Sequence, residues 1–105
     1  MKKLSSQKTQ ELMMLHQQGN IEGAAALAIK LIREYPKEGL LHNILGVCQE
    51  AKGDLSGAAN SYQKAIDINP DIPELQFNLG AMLYALNDNK GAITHYQKSI
   101  ELNPR

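Results

Sequence analysis

Three histidines and two recurring aspartates are the side chains of this sequence best suited to acid–base catalysis or metal binding. His16, His42 and His95 are isolated, and none has a second histidine or an acid at a metal-ligand spacing such as H-E-x-x-H. We interpret them as solvated histidines on helix surfaces. Asp54 and Asp88 occupy equivalent places in two predicted turns, where an aspartate usually caps the helix that follows.

The sequence also contains no convincing nucleophile and no phosphate-binding loop. Cys48 is the single cysteine, and it matches Met14 and Met82, which lie at equal distances before and after it, so we predict a buried, inert thiol. The glycines recur at this same wide spacing instead of forming a phosphate-binding loop. We therefore predict a non-enzymatic protein with no catalytic, cofactor-binding or metal site.

Composition and charge restrict the class of protein. A length of 105 residues fits one domain, 1–105, and the sequence is 43% hydrophobic with helix-favouring residues dominant. Lysine plus arginine equals aspartate plus glutamate, 11 against 11. A nucleic-acid binder needs a basic excess, and so does a protein that docks on anionic membranes. We therefore predict neither nucleic acid nor membrane as a partner.

Targeting signals are also missing from the sequence. Met1-Lys2-Lys3 is followed by polar residues where a signal peptide would carry its apolar segment. No stretch approaches the ~20 apolar residues that span a bilayer. A lone cysteine excludes an internal disulfide. We expect a cytoplasmic protein.

The sequence repeats itself at a constant interval. Pro36, Pro70 and Pro104 are equally spaced, and we call their spacing the repeat interval. Shifted by one repeat interval, the segment 62–70 matches the segment 96–104 almost residue for residue. The first unit is weaker but in phase. We predict repeat units at 5–38, 39–72 and 73–105.

Each unit is predicted to contain two helices, because its apolar residues recur at helical spacing. Gly19, Gly53 and Asn87 occupy the same place between the two helices of their units. A tight turn there requires positive φ, which glycine adopts freely and asparagine tolerates. The three recurring prolines end the second helices, and Pro73 suits the start of a first helix.

Small residues are predicted to let the two helices of a unit approach closely. We expect tyrosines one turn away to fill the wider space there, namely Tyr62 and Tyr96. The predicted small residues are Gly46 and Gly80 on the first helices, and Ala24, Ala58 and Ala92 on the second helices.

These features resemble the tetratricopeptide repeat family, whose repeat unit is about 34 residues long. The resemblance is carried by Leu-Gly, Gly-Asp, Ala, Tyr and Pro at the repeat interval, and it covers residues 5–105. The first unit departs from the pattern, since Leu12 replaces the glycine and Ala28 replaces the tyrosine. Terminal repeats are expected to be atypical.

The resemblance implies an all-α fold, a right-handed α-α superhelix of three helix-turn-helix repeats whose first helices line a concave groove. Carried over residue by residue, the partner-binding residues of this groove are Met13, His16, Gln17, Leu40, Asn43, Ile44, Val47, Glu50, Glu74, Phe77, Asn78, Ala81 and Tyr84.

The family also includes members that hold a C-terminal carboxylate with lysines, arginines and asparagines on this surface. The basic residues are missing here, so the resemblance does not extend to that kind of clamp. The matching positions hold Thr9, Met13, Ile44, Glu74 and Asn78.

The resemblance implies a scaffold for protein–protein interaction. The apolar floor of the groove suits an amphipathic helix or an extended apolar peptide. For Leu40, Ile44 and Val47, packing between neighbouring helices is an equally good interpretation.

Two further functions remain open. Ile93, Tyr96 and Ile100 would meet a fourth repeat, so an uncapped third repeat could support self-association. The chain could also be the N-terminal segment of a larger enzyme, such as a glycosyltransferase, a sulfotransferase or an oxygenase.

Overall fold

The computed structural model describes residues 3–104, and these form six helices and no strand. Each helix packs chiefly against the next helix in the chain. This confirms the predicted all-α helical-repeat fold.

We keep 5–38, 39–72 and 73–105 as proposed repeat units within a proposed domain 1–105, of which Met1, Lys2 and Arg105 lie outside the described residues. The helices are α1 (Ser6–Gln17), α2 (Ile21–Glu34), α3 (Gly39–Ala51), α4 (Leu55–Ile68), α5 (Pro73–Ala85) and α6 (Asn89–Leu102).

The turn inside each helix pair has the predicted left-handed backbone. Gly19 has a φ of 78°, Gly53 has 82° and Asn87 has 68°. Residues with a Cβ rarely adopt this conformation, and asparagine is among the few that tolerate it. This explains why only these two types of residue occur at this place.

The second helix of each pair begins with a capping side chain. Asp54 and Asp88 each accept a hydrogen bond from the backbone N–H three residues further on, at 3.0 Å, as predicted. Asn20 does the same at 2.9 Å, although the sequence pattern did not lead us to predict it. The three caps are separated by the repeat interval, so all the second helices start in the same register.

The recurring prolines follow the ends of the second helices. α2, α4 and α6 each end two residues before Pro36, Pro70 and Pro104 respectively. Proline disfavours a helical conformation in the residue before it and lacks the N–H that a helix interior needs. Pro73 occupies the first residue of α5, where a missing N–H has no cost.

The close approach of α3 and α4 depends on a glycine and a tyrosine in direct contact. A Cβ on Gly46 would lie 2.7 Å from the ring of Tyr62, which is completely buried. A Cβ on Gly80 would lie 2.9 Å from the ring of Tyr96 in the next pair. The prediction that each tyrosine lies one turn away from its glycine was wrong, because the flat ring fits directly onto the surface that the missing side chain leaves.

The first repeat reverses the sizes of this pair. Leu12 replaces the glycine on α1, Ala28 replaces the tyrosine on α2, and both are completely buried in one core cluster. A large residue on the first helix and a small one on the second fill the same space with the opposite arrangement. The interface between α1 and α2 is therefore filled without the glycine–tyrosine contact, and these two helices are less closely packed than the other two pairs.

Replacing either glycine by leucine tests this contact. We expect Gly80→Leu to lower the free energy of unfolding by about 1–3 kcal/mol, because the new side chain overpacks the interface. Gly46→Leu should cost more, since Tyr62 is fully buried whereas Tyr96 is half-buried and has room to move. Urea unfolding followed by circular dichroism measures both.

Ala85→Leu is the matched control, because Ala85 is exposed at the end of α5. It should leave the free energy of unfolding within about 0.5 kcal/mol of the wild type. Equal stability of Gly80→Leu and Ala85→Leu would show that the contact is misplaced.

Candidate functional site

Three cavities follow one another along the first helices. The first, of about 150 Å³, lies between α1 and α3. The second, of about 310 Å³, lies between α3 and α5 and shares Leu40 and Asn43 with the first. The third, of about 350 Å³, lies between α5 and α6 and shares Glu74 with the second. Adjacent cavities thus share lining residues, and the set extends from α1 to α6.

Nine of the thirteen groove residues named from the sequence line these cavities. They are Met13, His16, Leu40, Asn43, Ile44, Val47, Glu74, Phe77 and Asn78. The other four lie on the same helices but outside the cavities. Gln17, Glu50 and Tyr84 are exposed, and Ala81 is half-buried against the core cluster that contains Tyr62.

Exposure separates the apolar groove residues into two groups. Phe77 is 54% exposed and Tyr84 is 65% exposed, while Met13 and Leu40 are about two-fifths exposed. Ile44, in contrast, is 6% exposed and belongs to the core. Val47 is half-buried against the core cluster around Tyr62. Ile44 therefore packs between helices, whereas the side chain of Leu40 is accessible from the groove.

Two polar groups on this surface have unusual surroundings. The Oδ1 atom of Asn43 is buried at the first two cavities and accepts no hydrogen bond from any residue between 3 and 104. Such unsatisfied acceptors are rare in folded proteins. Glu50 is fixed by the Tyr62 hydroxyl, which donates to its Oε1 at 2.9 Å. Burial, with this hydrogen bond, raises the pKa of Tyr62, so the phenol stays protonated.

The charge of the groove is acidic at its edge. Glu50 and Glu74 are exposed, and the residues that line the three cavities include no lysine or arginine. Lys8, on α1, pairs instead with Glu34 of α2 at 3.4 Å. The lining of these three cavities therefore offers no cation to receive a carboxylate.

The prediction that the histidines are solvated surface residues is wrong for two of the three. His42 is 8% exposed, and its Nε2 donates to the carbonyl oxygen of Pro36 at 3.1 Å. Gln76, one repeat later, donates to the carbonyl oxygen of Pro70 at 3.4 Å. Each donor follows its proline by the same number of residues, and this spacing was the only indication of the two hydrogen bonds in the sequence. The acceptors are backbone carbonyl oxygens, which no residue type identifies. The pairs link consecutive repeats.

His95 is also partly buried. Its Nδ1 lies 2.7 Å from Oε1 of Gln76, so the ring nitrogen donates to the amide oxygen. Burial lowers the pKa of His95, and nearby Lys98 lowers it further, while Asp88 acts in the opposite direction. The neutral ring with a proton on Nδ1 makes this hydrogen bond without a charge to bury.

The remaining side chains considered for catalysis or metal binding are either buried or lack neighbouring groups that could act with them. Cys48 is buried as predicted, and burial raises the pKa of its thiol. Within residues 3–104, no group of three histidine, cysteine, aspartate or glutamate side chains is placed to hold a metal ion. Across the same residues, no helix combines the length and the apolar character needed to cross a membrane.

Family models agree with the repeat pattern. A model described as "TPR repeat" matches residues 51–86, and one described as "Tetratricopeptide repeat" matches residues 73–105. The two matches together extend over the second half of the chain and coincide with α4, α5 and α6. The chain belongs to the tetratricopeptide repeat family. Members of this family are in general non-catalytic scaffolds for protein–protein interaction, and the membership supports that role here.

Solved structures share the fold at low sequence identity. A MamA structure (MSR-1) superposes with a TM-score of 0.84 at 20% identity, covering 93% of this chain and 56% of that chain. This tetratricopeptide chain spans about half the length of most of the MamA chains that it matches, including this one. No curated protein matches the sequence.

Two shorter neighbours are matched over more of their length. The first TPR of Spaghetti (RPAP3), bound to the HSP90 peptide SRMEEVD, gives a TM-score of 0.87 at 21% identity and covers 97% of this chain and 84% of that one. The Yersinia enterocolitica type III secretion translocator chaperone SycD gives 0.88 at 21% identity, with 95% and 72% covered. At such identities the likeness shows the fold.

The environment of His95 predicts a pH-dependent contribution to stability. Because its pKa is lowered in the folded state, the unfolded chain binds the proton more tightly. The contribution is present above the unfolded pKa of ~6.5 and is lost as the pH falls through the folded pKa. Between about pH 8 and about pH 5, the wild type should therefore lose more unfolding free energy than His95→Gln.

Urea unfolding at the two pH values measures this difference. The comparison with the variant controls for the other titrating groups, because these are common to both proteins. Equal losses in wild type and variant would contradict the assignment.

Proposed function

We propose that the concave groove binds an apolar segment of another protein, as an extended peptide or as an amphipathic helix. The observation that supports this most strongly is the exposure of Phe77 and Tyr84 on the first helices, at 54% and 65%. Large exposed aromatic side chains are typical anchors of binding interfaces. Leu40 extends the apolar surface into the second repeat, and Met13 extends it into the first.

The first cavity suits one apolar side chain of the guest. Met13, Leu40 and Val47 line it, and its volume of about 150 Å³ is several times the ~30 Å³ that one water occupies in the liquid. Asn43 and His16 supply the polar groups at its wall. An apolar pocket with few polar groups is the usual form of a specificity pocket, in which the polar groups orient the guest's backbone.

The charge of the groove favours a neutral or basic guest. Glu50 and Glu74 lie at its edge, and no cation lines its cavities. An acidic C-terminal tail would lose the hydration of its carboxylates and meet like charges. The HSP90 peptide SRMEEVD, which the RPAP3 domain binds, ends in such a tail. We propose that the groove of this chain selects against it.

Selection of peptides from a random display library tests this function. We expect the selected peptides to carry spaced apolar residues without an acidic C-terminus, and SRMEEVD not to bind. Tyr84→Ala should weaken binding of the selected peptides by about tenfold or more, because it removes an interface anchor. Fluorescence anisotropy with labelled peptides gives the dissociation constants.

Ile29→Ala is the matched control, since Ile29 is an exposed apolar residue, 44% accessible, on the second helix α2. It should leave the affinity unchanged. Selection of acidic tails, or peptide binding that Tyr84→Ala does not affect, would rule out this mode of binding.

A further inference from the structure

Glu50 is an acidic side chain of the groove that a buried residue holds in position. It lies one turn beyond Val47 on α3, and Val47 lines the first cavity, so Glu50 stands next to that cavity. Its Oε1 accepts a hydrogen bond of 2.9 Å from the hydroxyl of Tyr62, whose side chain is completely buried. The carboxylate is therefore oriented without any contribution from a guest.

This carboxylate has no positively charged partner within residues 3–104. The ion pairs in this part of the chain join Lys8 to Glu34 at 3.4 Å and Lys52 to Glu22 at 3.0 Å. Lys52 is near Glu50 in the sequence, but side chains two residues apart on a helix do not face each other. A carboxylate has about four lone-pair sites, and the hydrogen bond from the tyrosine occupies one of them. Glu50 can therefore accept further hydrogen bonds from a guest.

The position of Glu50 within α3 is unfavourable for an acid. Glu50 lies in the last turn of the helix, which contains no basic side chain. The C-terminal end of a helix is the negative end of its dipole, so a cation is stabilising there and a carboxylate is not. The repeat does not require an acid here, since the equivalent residues are His16 in α1 and Tyr84 in α5. Such local conflicts are expected at functional sites.

The surroundings of Glu50 in the groove contain an aromatic residue and no competing lysine or arginine. Tyr84, its equivalent one repeat later, is 65% exposed, and the face of an aromatic ring attracts cations. The residues that line the first cavity include no lysine or arginine. A guest whose apolar side chain enters this cavity therefore lies about one helical turn from a carboxylate without a counterion.

We propose that Glu50 pairs with a lysine or arginine side chain of the guest, next to the apolar residue that enters the first cavity. This inference rests on the proposed function and names the guest more closely, as a segment that is both apolar and basic. One helical turn is ~5.4 Å long, and an extended chain covers this distance in about two residues. We therefore expect the basic residue within two positions of the apolar one.

Parallel selections from a random peptide display library test the proposal, with the wild type and Glu50→Gln as targets. Glutamine has nearly the same size and can still accept the hydrogen bond from Tyr62, so the main change is the loss of charge. We expect lysine or arginine to be enriched within two positions of an apolar residue for the wild type. This enrichment should disappear for Glu50→Gln, with helix content retained by circular dichroism.

Glu101→Gln is the matched control. Glu101 is an exposed glutamate on the second helix α6, and its replacement changes the net charge of the protein by the same amount. Peptides selected on this variant should show the wild-type preference for a basic residue. A general attraction between a basic peptide and the whole protein would instead be weakened equally by both substitutions.

Dissociation constants of a matched peptide pair locate the contact. The most enriched wild-type peptide is synthesised with arginine at the basic position and again with citrulline, its neutral isostere. Citrulline should weaken binding to the wild type about fivefold at about 50 mM salt, and binding to Glu50→Gln by less than about twofold. The difference should shrink at about 500 mM salt, because the pair lies at the exposed edge of the groove.

Three results would overturn the proposal. They are a wild-type selection without enriched basic residues, the same enrichment with Glu50→Gln as the target, and an equal preference for arginine over citrulline in both proteins. Selected peptides that are neutral, apolar and dependent on Tyr84 would contradict this inference and leave the proposed function intact. A selection that yields no peptide dependent on Tyr84 would contradict both.

Discussion

The contact between a glycine and a tyrosine ring is the constraint on which this structure depends. Gly46 lets the ring of Tyr62 lie directly against the backbone of α3, so α3 and α4 pack at close range. The same contact recurs between Gly80 and Tyr96, and the first repeat fills the space with a leucine from α1 instead. The second and third helix pairs share this close contact, whereas α1 and α2 are less closely packed. The first helices of all three pairs line the cavities of the groove.

The repeat pattern was sufficient to predict the fold, the turns and the helix ends, because these depend on local backbone requirements of glycine, asparagine, aspartate and proline. It was not sufficient for burial. Leu40 and Ile44 lie one turn apart on α3, yet one is exposed and the other is core. Exposure depends on neighbouring helices, which no spacing along one helix reveals. His42 was misjudged for a related reason, since its partner is a backbone carbonyl.

The groove combines exposed aromatic residues with acidic edges, and the proposal of an apolar guest without an acidic tail rests on this combination. The first helices contribute most of the side chains that line its cavities. The second helices α2 and α4 are instead covered by the helices that follow them, α3 and α5.

The most direct test of the central claim, that the groove is the binding surface, is NMR mapping of a selected apolar peptide onto the ¹⁵N-labelled chain. Binding in the groove predicts chemical-shift changes in the amides around Met13, Leu40, Phe77 and Tyr84 on the first helices. The outer surfaces of α2 and α4 should show little change. Changes concentrated on α2 or α4, with the first helices unaffected, would contradict the assignment of the groove.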